Sequence, residues 1–169
     1  MADAKQIYRT HPTSEEIDDV LRLRETATVG TLNADGSVHL AFVIFLHQDG
    51  RLYFETSSVT RKARNVERRQ RVSMAVQGRA STGRHLMVSV EGIGRLVSGA
   101  DARDLNHRLR AKYIRPDALD ELDSVWNRFD DTAIEITPEK WRSWTGSTMH
   151  QETQKELSVP YDDIWLSDS

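Results

Sequence analysis

Thr28-Val29-Gly30-Thr31-Leu32-Asn33-Ala34-Asp35-Gly36-Ser37-Val38-His39-Leu40-Ala41-Phe42-Val43-Ile44-Phe45-Leu46-His47 reads as two β-strands joined by a tight turn. The first run, residues 27–32, is rich in β-branched side chains, which suit a pleated, half-buried surface. Asn33-Ala34-Asp35-Gly36 follows, with residue types that tolerate positive φ and mark a hairpin. The second run, residues 37–47, sets Val38, Leu40, Phe42, Ile44 and Leu46 on one face against a mixed second face. Gln48-Asp49-Gly50 turns the chain again and residues 51–56 form a third strand, giving an antiparallel meander.

Upstream, Thr13-Ser14-Glu15-Glu16 has the form of a capping box, a hydroxyl at a helix start with a carboxylate three residues on. Ile17, Val20 and Leu21 continue at helical spacing, which predicts a short amphipathic helix over 14–24. Downstream, residues 60–70 read as a polar helix, 71–76 as a strand and 85–98 as the longest strand. Gly92 and Gly94 inside that strand mark a bend, the usual way a sheet curls. Helices over 98–114 and 117–129 are separated at Pro116, and a strand at 132–137 and a short piece at 141–144 close the pattern. The helices do not alternate with the early strands, so a doubly wound sheet is excluded. The expected fold is mainly β with flanking helices, a small closed or half-closed barrel over residues 1–145. Residues 146–169 form a polar C-terminal extension that wraps the surface or a partner.

The 169 residues carry a formal net charge of −3 and no cysteine, which excludes disulfides, thiol catalysis and thiolate metal sites. The longest apolar run, residues 40–46, is far short of the ~20 residues of a membrane helix. The start, Met1-Ala2-Asp3-Ala4-Lys5, has no basic region followed by an apolar stretch, so a cytoplasmic protein with no membrane partner is expected. Six histidines form no tight cluster, and no metal site is expected. His39 and His47 read as strand-surface residues. Gly92-Ile93-Gly94 lacks the third glycine of a dinucleotide fingerprint and sits inside a strand. No nucleophile elbow surrounds Ser143 or Ser147.

Residues 61–71 concentrate charge: Arg61, Lys62, Arg64, Arg68, Arg69 and Arg71 against Glu67, a local +5 that leaves −8 on the rest of the chain. A cationic patch on an acidic protein points to a specific anion, and a solvated basic helix is the plain alternative. Thr56, Ser57 and Ser58 stand just before this helix. Hydroxyls, helix-start amides and cationic side chains together make a phosphate cradle. Lys62 and Asn65, three apart, share a helical face. No aromatic residue interleaves the basic helix, so nucleic acid is not an expected partner.

The hairpin at 28–38 resembles the opening of the pyridoxamine 5′-phosphate oxidase-like flavin-binding split barrels. Thr56-Ser57-Ser58, Arg61-Lys62-Ala63-Arg64-Asn65-Val66 and Arg71-Val72-Ser73 are similar to that family's phosphate-binding segment, and His85 to Gly92 resembles its long strand with Val-x-Gly. Arg69-Gln70 stands where the family often has Asp-Pro or Asn-Pro. The resemblance, over about 14–144, implies a homodimeric six-stranded split β-barrel that binds coenzyme F420 or FMN between subunits. It implies further that Arg61 and Lys62 neutralise the cofactor phosphate, and that Thr56, Ser57, Ser58 and Asn65 belong to its binding site. Val43, Ile44 and Phe45 would lie along the ring.

The function so implied is an oxidoreductase passing hydride to a small-molecule substrate. The cofactor performs the chemistry, so no catalytic side chain is named. The excess of arginine over lysine, 18 to 5, inclines the cofactor reading to F420. The alternative is a non-catalytic carrier of flavin, F420 or haem on the same barrel. Trp141 and Trp144 either cover substrate or ring, or pack the barrel end or dimer.

Overall fold

The structure, a computed structural model, describes residues 11–165. In chain order it comprises α1 (Ser14–Arg22), β1 (Ala27–Leu32), β2 (Val38–Val43), β3 (Leu46–Gln48), β4 (Arg51–Thr56), α2 (Arg61–Arg68), β5 (Arg71–Arg79), β6 (His85–Ser98), α3 (Gly99–Tyr113), α4 (Pro116–Trp126), β7 (Thr132–Thr145) and α5 (Ser147–Glu156), with a 3-10 turn at Tyr161–Ile164. The strands form one antiparallel sheet in the order β2-β1-β5-β6-β7-β4-β3. Its two edge strands, β2 and β3, are consecutive in sequence, joined by Ile44 and Phe45. The sheet therefore curls back on itself as a half-barrel, the fold class expected.

Among the described residues there are seven strands where six were expected, because residues 37–47 break at Ile44–Phe45. The cause is tertiary. Lys112 Nζ donates to the carbonyls of Phe45 (3.2 Å) and Leu21 (3.1 Å) and lies 4.1 Å from the Phe45 ring centre. The Tyr113 hydroxyl accepts from Phe45 N at 3.2 Å and stands 3.0 Å from both the Phe45 and Glu25 carbonyls, donating to one of them. The backbone groups that would have extended the ladder are thus taken by α3.

The other end of the sheet is longer than expected. Residues 132–137 and 141–144 belong to a single strand, β7, with a register shift at Glu91/Gly92 that leaves Glu139 unpaired between Pro138 and Lys140. The bulge bends β6 and β7 together. Gly92 permits it, since a Cβ there would stand 2.3 Å from the Thr137 carbonyl oxygen. Inside the curl, Val20, Val29, Phe45, Leu52, Phe54, Val66, Val72, Leu86, Val88 and Ile134 form the core. α1 opens with both hydrogen bonds of the capping box, Glu16 N to Thr13 Oγ1 (3.2 Å) and Thr13 N to Glu16 Oε2 (2.9 Å).

β2 shows an inversion. Its more apolar face, Val38, Leu40 and Phe42, points outward and is 61, 63 and 81% exposed. Val43 and, past the break, Phe45 enter the core. Alternation located the strand, but the hydrophobic side of β2 is a surface.

Burial pushes the Lys112 ammonium down to about 8. Its folded pKa lies below the unfolded one, so the folded protein binds fewer protons between about pH 8 and 10.5, and stability rises across that window. The cost of burying the charge is present below pH 8. The half-exposed group keeps part of its water, which reduces the effect to on the order of 1 kcal/mol. Denaturant unfolding of the wild type and Lys112→Met at pH 7.5 and 10 should show a larger rise in the wild type than in the variant.

Candidate functional site

α2 begins at Thr60, whose Oγ1 accepts from Ala63 N (3.3 Å) and donates to the Ser57 carbonyl (2.8 Å), while Thr56 Oγ1 lies 2.9 Å from it. Thr56 therefore ties the end of β4 to the cap of α2. The N–H groups of Arg61 and Lys62, in the first turn, have no acceptor among the described residues. Ala63 and Val66 dock α2 on the barrel, where a Cβ at Gly94 would meet Val72 at 2.6 Å and Val66 at 3.3 Å.

Lys62 is half-buried, and burial lowers its pKa. Among the described residues it has no ion pair, nor do Arg61, Arg64 and Arg68. A cation that loses hydration without gaining a counter-ion is a poor stabiliser and a ready anion site. Arg69 donates to the carbonyls of Asn33 (3.2 Å) and Ala34 (3.1 Å), so it pins the β1–β2 turn. Arg71 pairs with Glu139.

Asn65 is buried, and its amide nitrogen donates to Thr31 Oγ1 (3.1 Å) and Asn33 Oδ1 (3.0 Å). Both amide hydrogens are used to hold α2 on the hairpin. Ser57 and Ser58 already grip an oxyanion. Asp130 Oδ2 accepts from Ser57 Oγ (3.0 Å), Ser58 N (2.6 Å) and Ser58 Oγ, and Oδ1 accepts from Thr132 Oγ1 (2.8 Å). The Ser58 hydrogen bond, followed by that from Thr132, holds the Asp130 carboxyl down at about 2. Asp130 lies 72 residues from Ser58, and no local pattern announces the contact.

Val43 and Phe45 are buried, and the Phe45 peptide groups are engaged by α3. Ile44, between them, is partly exposed, and its N–H and C=O have no backbone partner among the described residues. Outside this segment, the exposed face of β2 borders a cavity of about 360 Å³ shared with Gly30, Ser73, Ala75 and Ser89. His47, expected on the strand surface, is instead half-buried and edge-on to Trp141, with ring centres 5.9 Å apart. Among the described residues no group of acidic and histidine side chains could hold a metal ion, and no helix is long and apolar enough to cross a membrane.

A curled antiparallel half-barrel of this topology has a split-barrel architecture, and the family comparison agrees. The chain belongs to the pyridoxamine 5′-phosphate oxidase family, whose model matches residues 13–145. The fold is similar to that of a conserved hypothetical protein, Rv2991, from Mycobacterium tuberculosis, at 21% identity and TM-score 0.69 over 94% of each chain. It is also similar to an F420 reductase, at 20% identity and TM-score 0.56 over 78% of this chain and 98% of that one. HutZ, the haem storage protein from Vibrio cholerae, matches at 16% identity and TM-score 0.60 over 78% and 94%. No curated protein matches the chain.

Proposed function

We propose that this chain is an oxidoreductase that binds a phosphorylated deazaflavin, F420, or FMN in its place, at a homodimer interface and passes hydride to a small organic acceptor. The observation that carries this reading is Lys62, half-buried in the first turn of α2 with no counter-ion among the described residues. Its donor set suits a phosphate: the Lys62 ammonium, the Arg61 guanidinium and the two free N–H groups of the first turn. Thr56 and Asn65 fix the helix from either side. Val43 and Phe45 anchor the strand beneath the ring, leaving the Ile44 peptide for its polar edge. The bound cofactor supplies the hydride chemistry.

Ser57 and Ser58 enter this reading through exchange: a phosphate gains them by displacing Asp130. Neutralising that carboxylate removes a competitor and a like charge. Asp130→Asn should therefore tighten FMN or F420 binding about two- to fivefold, the scale of one exposed charge interaction. Weaker binding would mean that Asp130 orients the cradle and does not compete for it.

The exposed Val38, Leu40 and Phe42 face, an apolar stripe on the free edge of the sheet, supports the dimer. Light scattering of the wild type and Phe42→Asp would test it: a dimer is expected for the first and a monomer for the second. A second reading, a carrier on the same barrel, takes support from the likeness to HutZ. Turnover assays with reduced F420 against quinones, enones and tetrapyrroles separate the two, since a carrier binds and reduces none.

A further inference from the structure

A second cavity, of about 470 Å³, lies between α1, β3 and the strands β6 and β7. Its floor is the inner face of β6 and β7: Ser143 pairs with Val88 and Trp141 with Val90, so these side chains share the side on which Val88 and Val90 enter the core. α1 roofs it with Ile17 and Leu21. β3 closes one flank with His47, which pairs with the core residue Leu52 and so faces inward. Six residues of β6, about 20 Å, separate Val88 from Gly94 beneath α2. The cavity is therefore distinct from the α2 cradle.

Its polar groups converge without partners. Among the described residues, His47 and Asp18 make no hydrogen bond or ion pair, and the hydroxyls of Ser14 and Ser143 are equally unengaged. Arg142 is different, since it pairs with Glu91 at 3.2 Å. Burial lowers the His47 pKa, Lys112 from α3 and Arg22 from α1 lower it further, and Asp18 opposes them. The imidazole is neutral at pH 7 and offers one donor and one acceptor. Its ring stands at 74° to the Trp141 indole, a corner in which a flat ring can stack on one wall and meet the edge of the other. Apolar walls with a few convergent, unsatisfied polar groups are the signature of a small-molecule site.

We propose that this cavity binds a planar nitrogen heteroaromatic of about purine size that carries both a hydrogen-bond donor and an acceptor. His47 and Asp18 read its polar edge, and Trp141 holds its face.

The test is a titration of the full chain with adenine, followed by proton–nitrogen NMR, with the Trp141 indole signal assigned from Trp141→Phe. A saturable shift with Kd of about 0.1–1 mM is expected, the range for a ligand of this size. Asp18→Asn and His47→Phe should each raise Kd at least about fivefold, one lost polar contact. Val88→Trp, which fills the cavity, should abolish the shift. Lys62→Ala should leave adenine binding unchanged. No saturable shift up to about 5 mM, or equal affinity in the Asp18, His47 and Val88 variants, overturns the inference. Loss in Lys62→Ala also overturns it, by placing adenine in the α2 cradle, and leaves the proposed cofactor site standing.

Discussion

Arg110→Ala should cost about 3–5 kcal/mol of folding stability, the scale for removing one partner of a buried ion pair. The guanidinium is fully buried. It donates from Nε to Glu55 Oε2 (3.0 Å), from Nη2 to Glu55 Oε1, and from Nη1 to Asp123 Oδ1 (2.7 Å) and Asn127 Oδ1 (3.0 Å); Asp131 stands 3.6 Å away and the Trp126 ring centre 5.0 Å away. Burial works against the charge, but the hydrogen bonds to Glu55 and Asp123 overcome it and hold the Arg110 pKa above its usual value. Its loss leaves three carboxylates facing one another where α3 and α4 meet β4 and β7. Denaturant unfolding checks this. Arg108→Ala, two residues away on a half-exposed side chain, should change stability by less than about 1 kcal/mol. Similar losses at both positions would mean that the helices are held by general packing.

Lys62→Ala should weaken FMN or F420 binding by about 1.5–3 kcal/mol, the scale of a charge-assisted hydrogen bond. That is a tenfold to hundredfold rise in Kd at about 1.4 kcal/mol per decade. Stability should hold or rise slightly, because the side chain is half-buried without a partner and its pKa is lowered by that burial alone. Arg68→Ala, at the far end of α2, should cost much less. Equal losses would indicate a diffuse field and not a cradle.

The local signals were legible in the residues. The capping box at Thr13–Glu16, the Asn33–Gly36 turn, the polar helix over 60–70 and the bent strand with Gly92 and Gly94 all formed as their chemistry requires. What could not be read was set by residues far along the chain. Apolar alternation runs unbroken through Ile44 and Phe45, and only Lys112 and Tyr113, 67 and 68 residues from Phe45, break the strand there. The same alternation could not say that the Val38–Phe42 face looks outward. A strand whose apolar side is covered by a partner and one whose apolar side meets the core have the same pattern. Residues 132–137 and 141–144 read as two separate pieces, but a single bulged residue, Glu139, carries β7 across the gap. Within the site, the placing of Lys62 and the Thr56–Ser58 segment at the two sides of one helix start follows from their proximity in sequence. The grip of Asp130 on the serines and the confinement of His47 under α1 do not.

Equilibrium titration of the cofactor-free protein with F420 and with FMN, each in the wild type and in Lys62→Ala, decides whether α2 holds the cofactor phosphate. Saturable binding of at least one of them is expected, F420 the tighter, weakened at least about tenfold by the substitution. Absence of saturable binding of both, or binding indifferent to Lys62, would contradict that placement.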